Sequence, residues 1–414
     1  MNQTIYTGII GLQANQQALN VTANNIAGVD TTGFKKNRAE FQSLFAKALI
    51  GANGPVNSTV GLGSEVATTP LMATTGSITN TGVNTDLAIS GNGWFGVEGN
   101  NQVAYTRDGK FSFDANGNFV NTQGDFVLGT IAAGISQNGT INPNTTVSLG
   151  SVLDQAPISL PTQMSYPTTP TTVASFFGNL GTANIPQRVS ATAIDSKGNK
   201  NSLQLTFTKS AKQPTSGLSW DINATLKSAT NNDTISTGTG VVTFSQTGAL
   251  ISSTLKSLNN NGAPLAINLG SGYNGIVSNT SNSGNLNSSA NGQVGGALTG
   301  YSVNNNAQIV ASFSNSKQLP VAQIALFHFQ NEQGLQNMGG SKYAASNNTG
   351  QPFFYTNSLG KSILGSKILT GSLESSNVSY STSLTKLIVL QRSYDANSKS
   401  ITVGDQLLKK ALQM

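Results

Sequence analysis

No cysteine occurs in this 414-residue chain, and histidine occurs once, at His328. Disulfides, thiolate metal sites and a cysteine nucleophile are thereby excluded, and a zinc site has too few ligands left. Charge is scarce too: 9% of residues are Asp, Glu, Lys or Arg, against about 25% in typical globular domains. The net charge of +6 is not gathered into a stripe, so no nucleic-acid partner is expected. The densest basic run, GFKKNRAEF with Lys35, Lys36 and Arg38, reads as a solvated face. Long apolar runs are missing as well. Residues 1–34 hold no Lys or Arg, and IYTGIIGLQANQQALN is too polar for a membrane span or a signal-peptide core. No membrane insertion is expected, and any export uses a route without a cleaved signal.

What fills the chain instead is Gly, with 45 residues, and a heavy load of Asn, Ser and Thr, a composition that favours strands, turns and a neutral hydrogen-bonding surface. One stretch, SGNGWFGVEG, contains Gly91-x-Gly93-x-x-Gly96, the spacing of a dinucleotide-binding turn. That motif needs a helix on its exit side, whose N–H groups and dipole face the phosphates. Here the exit is a series of β-type runs broken by Gly-Asn, Asp-Gly and Asn-Gly turns, so the glycines read as a β turn followed by a strand carrying Trp94 and Phe95. DANGNF offers acceptors at Asp114, Asn116 and Asn118, but Phe119 stands where a calcium loop needs Gly, and a hairpin turn explains it better. His328, in the strand-like LFHFQ without a nucleophile elbow, reads as a satisfied, half-buried strand histidine. No catalytic residue, cofactor or metal is expected.

The two ends share a pattern. Ile5, Ile9, Leu12, Gln16, Leu19, Ala23 and Ile26 are spaced alternately by four and three, and so are Leu384, Leu387, Gln391, Tyr394, Ser398, Ile401, Asp405, Leu408 and Leu412. Both ends are predicted to be amphipathic helices of coiled-coil type. A large apolar side chain contributes roughly 1.5–3 kcal/mol when fully buried, whereas ordering the backbone costs on the order of 1–2 kcal/mol per residue. The N-terminal helix therefore needs a partner, either the C-terminal helix or the helices of other subunits.

Between the ends the chain reads as β. Hairpins are predicted around Asp108-Gly109 and Asn116-Gly117; the Pro-, Thr- and Asn-rich residues 130–188 mark a boundary. A second β unit begins with RVSATAIDSKGNKNSLQLTFTK, which alternates through Val189, Ala191 and Ala193 and again through Leu203, Leu205 and Phe207. Residues 270–300 are low in complexity and read as a loop or linker.

Three blocks carry a family resemblance. LNVTANNIAGVDTTGFKKNRAEFQ, with Asn24, Asn25 and Ile26 before a Gly33-Phe34-Lys35 step, resembles the N-terminal motif of the flagellar rod and hook axial proteins. TGVNTDLAISGNGWFGVEG with YTRDGKFSFDANGNFVNTQGDFVLG resembles the family's next block, and GSLESSNVSYSTSLTKLIVLQRSYDANSKSITVGDQLLKKALQM its C-terminal block. The chain departs from the pattern at Gly28, Val29 and Asp30. The large middle insertion resembles hook-type rather than rod-type members.

The resemblance implies a mostly β, nested multidomain chain with α-helical termini. Residues 1–27 and 380–414 would pair as a coiled-coil inner core, with 28–70 and 364–379 as a connecting joint. Residues 71–147 and 296–363 would form a first β domain, and 148–295 an inserted outer β domain, both barrel- or sandwich-like. It implies a non-enzymatic structural subunit that forms a helical homopolymer at Ile5, Ile9, Leu12, Leu19, Ile26, Leu384, Leu387, Tyr394, Ile401, Leu408 and Leu412. Its implied partners are a distal rod protein at the base, a hook cap during assembly, a hook–filament junction protein and the flagellar type III export apparatus. A distal rod-type axial protein, or a secreted β-rich adhesin, stays open as an alternative.

Overall fold

The computed structural model describes residues 2–44, 63–136, 138–280 and 285–413. Part of the expected joint, residues 45–62, lies outside the described residues. Helix α1 spans Asn2–Ala27 and helix α2 spans Tyr380–Leu412, so both ends are helical as their periodicity predicts. The Ser379 hydroxyl caps α2 by accepting from the Thr382 N–H, and Lys409 and Lys410 lie in its last turn, where the helix dipole favours positive charge. Between the helices the described residues form strands, their connections and two short 3-10 turns, Val152–Asp154 and Glu332–Gly334, which establishes the mostly β fold with paired helical termini.

The nested order is visible in strand pairing. Phe126–Ile131 pairs with Gln318–Ile324, and Trp94–Gly99 pairs with Leu326–Phe327, so segments from both sides of the insertion share one antiparallel sheet. Its core holds Phe95, Phe111 and Phe119 in edge and tilted ring contacts, with Ile309, Val321 and Ile324 from the later segment. Ile158, Leu160, Met164 and Tyr166 pack in this same core, although the sequence reading assigns them to the inserted unit. The reason is register: Ala156–Pro157 pairs with Phe126–Ile131, and Ser165–Tyr166 with Gly296–Val303.

The inserted unit has its own core around Trp220, Phe207, Phe244, Leu203 and Leu205. A five-stranded antiparallel meander, Gln187–Ile194, Lys200–Lys209, Leu218–Ser228, Thr234–Phe244 and Leu250–Ser253, faces a second sheet built around Val173–Asn179. The predicted alternation holds: Val189, Ala191, Ala193, Leu203, Leu205 and Phe207 all point into this core.

Two local expectations fail. Asp108-Gly109 does not close a hairpin, because Gln102–Thr106 pairs with Trp94–Gly99 and Lys342–Ala344, while Phe111–Phe113 pairs with Phe119–Asn121. Gly109 instead turns a corner, where its carbonyl accepts from the Leu87 N–H at 3.0 Å. Residues 270–280 and 285–300 are not a linker either. Asn274–Val277 and Asn287–Ala290 both pair with Val173–Asn179, and Gly296–Val303 with Gln308–Phe313. Ser, Asn and Gly there supply backbone ladder bonds, which need no side-chain pattern. The Asn116-Gly117 hairpin does form: the Asn118 side-chain amide donates to Asp114 Oδ2 at 2.8 Å and the N–H groups of Asn118 and Asn116 donate to Oδ1, each at 2.8 Å, which together hold the Asp114 carboxyl below the usual range.

Leu205→Ala empties a fully buried site of the outer core. It is expected to cost about 2–5 kcal/mol of that unit's stability, read by denaturant unfolding followed through Trp220 fluorescence. A loss under about 1 kcal/mol would show that Leu205 is not a tightly packed core residue.

Candidate assembly core and its joint

The two terminal helices lie antiparallel and close. A Cβ built on Gly8 would stand 2.8 Å from Ile401 Cγ1, one on Gly11 2.7 Å from Asn397 Nδ2, and one on Gly404 2.9 Å from Ile5 Cγ1. Ala18 continues the seam against Leu390. Glycine weakens a helix interior by roughly 0.5–1 kcal/mol relative to Ala, and here the missing side chains let Ile5 and Ile401 reach the facing helix backbone.

The seam takes Ile5 and Ile401 from the predicted stripe and otherwise runs beside it. Ile5, Leu12, Leu19 and Ile26 are half-buried flanks, and Ile9 is 42% exposed; in α2, Leu384, Leu387, Ile401 and Leu408 are half-buried, while Tyr394 and Leu412 are 38% and 84% exposed. Gln391, Ser398 and Asp405 turn outward, and their neighbours Leu390, Asn397 and Gly404 face α1. Counting apolar side chains misses this seam because Gly has no side chain to count. Tyr6 and Ile9 of α1 and Ile388, Val389, Val403 and Leu407 of α2 remain exposed. An apolar groove of about 310 Å3 opens between Thr4, Val403, Gly404 and Leu407.

Beyond α1 the chain folds into a knot that binds both helices to the first β unit. The Phe34 ring covers Gly28, where a Cβ would come within 2.6 Å of it, and Asn24 O accepts from the Gly28 N–H at 3.1 Å. Asn25 clamps Asn37 from both sides, donating to its carbonyl at 2.7 Å and accepting its N–H at 2.9 Å. Asn377, from the segment before α2, accepts the Lys36 N–H at 2.8 Å and donates to Met72 O at 2.7 Å. Gly33 adopts φ +65 against the backbone of Arg107 and Asp108, which only a residue without Cβ allows, and its N–H donates to Glu374 O at 2.8 Å.

At the centre are three buried charges. Lys35 Nζ pairs with Glu374 Oε1 and donates to Thr74 O at 2.8 Å, while Arg107 Nη1 meets Glu374 Oε2 at 3.2 Å and Nη2 donates to Gly91 O at 2.9 Å. The Gly76 N–H supplies a further bond to Glu374 at 2.7 Å. All three side chains are 0% exposed. Burial pulls the Lys35 ammonium and the Arg107 guanidinium below their usual ranges, and the Glu374 carboxylate opposes that pull. The guanidinium also lies 5.4 Å from the Trp94 ring centre, and Trp94 meets Tyr343 edge-on; burial pushes the Tyr343 phenol up to about 12. Lys35 is thus no part of a solvated face, contrary to the sequence reading. Arg107 and Glu374 each show in sequence only as part of a quoted motif.

The Gly91-x-Gly93-x-x-Gly96 stretch serves the same junction. Gly91 offers its carbonyl to Arg107, and Gly93 and Gly96 let Leu326 and the Phe327 ring press against the backbone. No helix follows; Trp94–Gly99 is a strand. His328 is buried more deeply than expected, at 2% exposure, with Nε2 2.7 Å from Leu364 O, and burial lowers its pKa. Among the described residues no helix is long and apolar enough to cross a membrane.

Comparison with known proteins points to a class, the axial structural proteins of the bacterial flagellum. The profile "Flagella basal body rod protein" matches residues 5–35, "Flagellar hook protein FlgE/F/G D1 domain" residues 88–199, and "Flagellar basal body rod FlgEFG protein C-terminal" residues 369–414. The flagellar hook protein FlgE of Salmonella typhimurium is 31% identical over 424 residues, covering 98% of each chain. That of Escherichia coli K12 is 32% identical over 418 residues, again covering 98% of each. The crystal structure of the Helicobacter pylori hook protein FlgE2 shares the fold, with TM-score 0.51 at 16% identity over 70% of this chain and 98% of that one. The chain belongs to the flagellar hook protein family, whose members are structural proteins and not enzymes.

Glu374→Ala leaves two buried cations without their shared anion. It is expected to lower stability by about 3–5 kcal/mol, measured by denaturant unfolding. Gly8→Leu should separate the helices without touching the β units, lowering helical circular dichroism while the Trp94 and Trp220 fluorescence transition stays in place. Unchanged helicity in that variant would refute the close seam at Gly8.

Proposed function

We propose that this chain is the structural subunit of the flagellar hook, polymerising head-to-tail into a short curved tube that works as a universal joint between rod and filament. The observation that carries the reading is the joined arrangement of the ends. The helix pair keeps a row of apolar side chains outward, from Tyr6 and Ile9 to Val403 and Leu407, where further copies can cover them. The buried Lys35–Glu374–Arg107 cluster ties that pair to the β units, so load on the helices reaches the outside through a stiff connection. Head-to-tail contacts that do not close on themselves yield a helical tube.

The inner core is assigned to the terminal helices, the joint to the knot around Gly33, Phe34 and Lys35, and the outer layers to the two β units. Bending suits a surface of Ser, Thr, Asn and Gly, since few charges are present to lock neighbours in one register. The partners assigned are further copies of the chain, a distal rod protein below, a hook cap during growth, a junction protein towards the filament and the flagellar type III export apparatus. The assigned location is the extracellular part of the flagellum.

Two measurements test the reading. Removing residues 1–27 is expected to leave a folded β core that no longer polymerises; a truncated protein that still builds tubes would sink the account. Immunogold labelling with an antibody against residues 185–260 is expected to mark the short curved segment between envelope and filament. Label inside the envelope would favour a rod subunit, and label on another surface structure an adhesin.

A further inference from the structure

The meander of the inserted unit has an edge with which no described strand pairs, although Ser257–Asn260 runs close beside it. Strand Thr234–Phe244 is paired along its length with Leu218–Ser228, but on its other side Leu250–Ser253 meets it only from Val242 to Phe244. The contact where the two part fixes a direction. Val241 donates its N–H to Thr254 Oγ1 at 2.8 Å and accepts the Thr254 N–H at 3.0 Å, so its backbone groups point away from Leu218–Ser228. In an antiparallel ladder this direction alternates, and the backbone groups of Thr239 and Thr237 therefore point the same way. No described strand pairs with them there.

The edge is also unguarded. Exposed edges are normally blunted by Lys, Pro or a bulge. Ser236–Gly240 reads STGTG, without charge or proline, and the bulge in this pair lies before it, opposite Leu226 and Lys227. Beside the edge runs an open groove of about 610 Å3, walled by Thr254, Lys256, Ser257 and Asn259. Gly238 and Gly240 let the groove wall pack close, since a Cβ on either would come within 2.7 Å of Leu258 or Leu255.

Charge distinguishes the occupants. Residues 167–295 hold seven Lys and Arg against three Asp and Glu, whereas 71–166 with 296–371 hold six against seven. Lys256 is the one charged residue lining the groove. A second outer unit would bring like charge to it, and a first β unit would not. We propose that the Ser236–Gly240 edge of one copy takes up, by backbone strand addition, an extended segment of the first β unit of a second copy. This rests on the hook-subunit reading and adds a contact to it. The two surfaces differ, so the contact is open-ended and repeats along a polymer. Backbone pairing through two residues is too small to hold an isolated dimer and gains its effect by repetition.

The test uses the full chain polymerised in vitro. The Thr237 and Thr239 N–H groups point out of the intrachain ladder, so proline at either position removes none of its bonds. Thr237→Pro and Thr239→Pro are each expected to keep the parental melting temperature within a few degrees and to raise the critical concentration for assembly about tenfold. Thr239→Lys, which carries no backbone risk, is expected to act in the same direction, and Thr239→Ala to assemble like the parent. Hydrogen exchange of the Thr237 and Thr239 amides should be fast in the monomer and slow in the polymer. Carbodiimide should couple Lys256 to a carboxylate of the first β unit of another copy.

Parental assembly by folded proline and lysine variants, or equally fast amide exchange in monomer and polymer, would overturn the proposal. Coupling of Lys256 to another outer unit would overturn the assigned occupant. A parent chain that fails to polymerise at all would count against the hook-subunit reading instead.

Discussion

Glu374 is the residue on which the two ends of the chain meet. It stands just before α2, it pairs with Lys35 just after α1, and it pairs with Arg107 from the β sheet. Two cations and one anion withdrawn from water are tolerable only when hydrogen bonds take up the charge, and Thr74, Gly76 and Gly91 provide them. A buried cluster of this kind adds little net stability compared with an apolar replacement, whereas loss of one partner is costly because it leaves charge buried and uncompensated. The direction in which the helices leave the β unit is tied here to partners that are buried away from solvent.

The helices show the opposite choice. Their seam is made of Gly8, Gly11, Ala18 and Gly404, residues that contribute little hydrophobic area and much closeness. Large apolar residues stand on the flanks or face outward. A pair built this way holds together over a narrow strip and leaves apolar side chains such as Ile9, Val389 and Val403 exposed. The Lys35–Glu374–Arg107 cluster and the helix seam therefore differ in kind: one is a closed set of buried partners, the other a narrow strip with apolar side chains left exposed beside it.

Much of this was readable before any coordinates. Helical termini, a β middle, the alternation at Val189–Ala193 and Leu203–Phe207, and the Asn116-Gly117 hairpin all follow from local periodicity and turn chemistry. The failures share a cause. The strands Asn274–Val277 and Asn287–Ala290 carry little apolar patterning because they join the sheet mainly through backbone pairing, with Ile276 as the one large apolar side chain they bury. Asp108-Gly109 looks like a hairpin turn because the turn is real, yet its two flanking strands pair elsewhere.

By itself, the sequence determined the element types, the absence of thiol chemistry, and the family through its three terminal and near-terminal blocks. Those properties are local, written in side-chain spacing and turn residues within a few positions of each other. Only the tertiary structure decided that Lys35 is buried rather than solvated, that Arg107 shares its carboxylate, and that glycines facing Ile5, Asn397 and Ile401 bring the two helices together. Those properties depend on residues hundreds of positions apart meeting in space, where the environment and not the residue type sets what a charge or a missing side chain does.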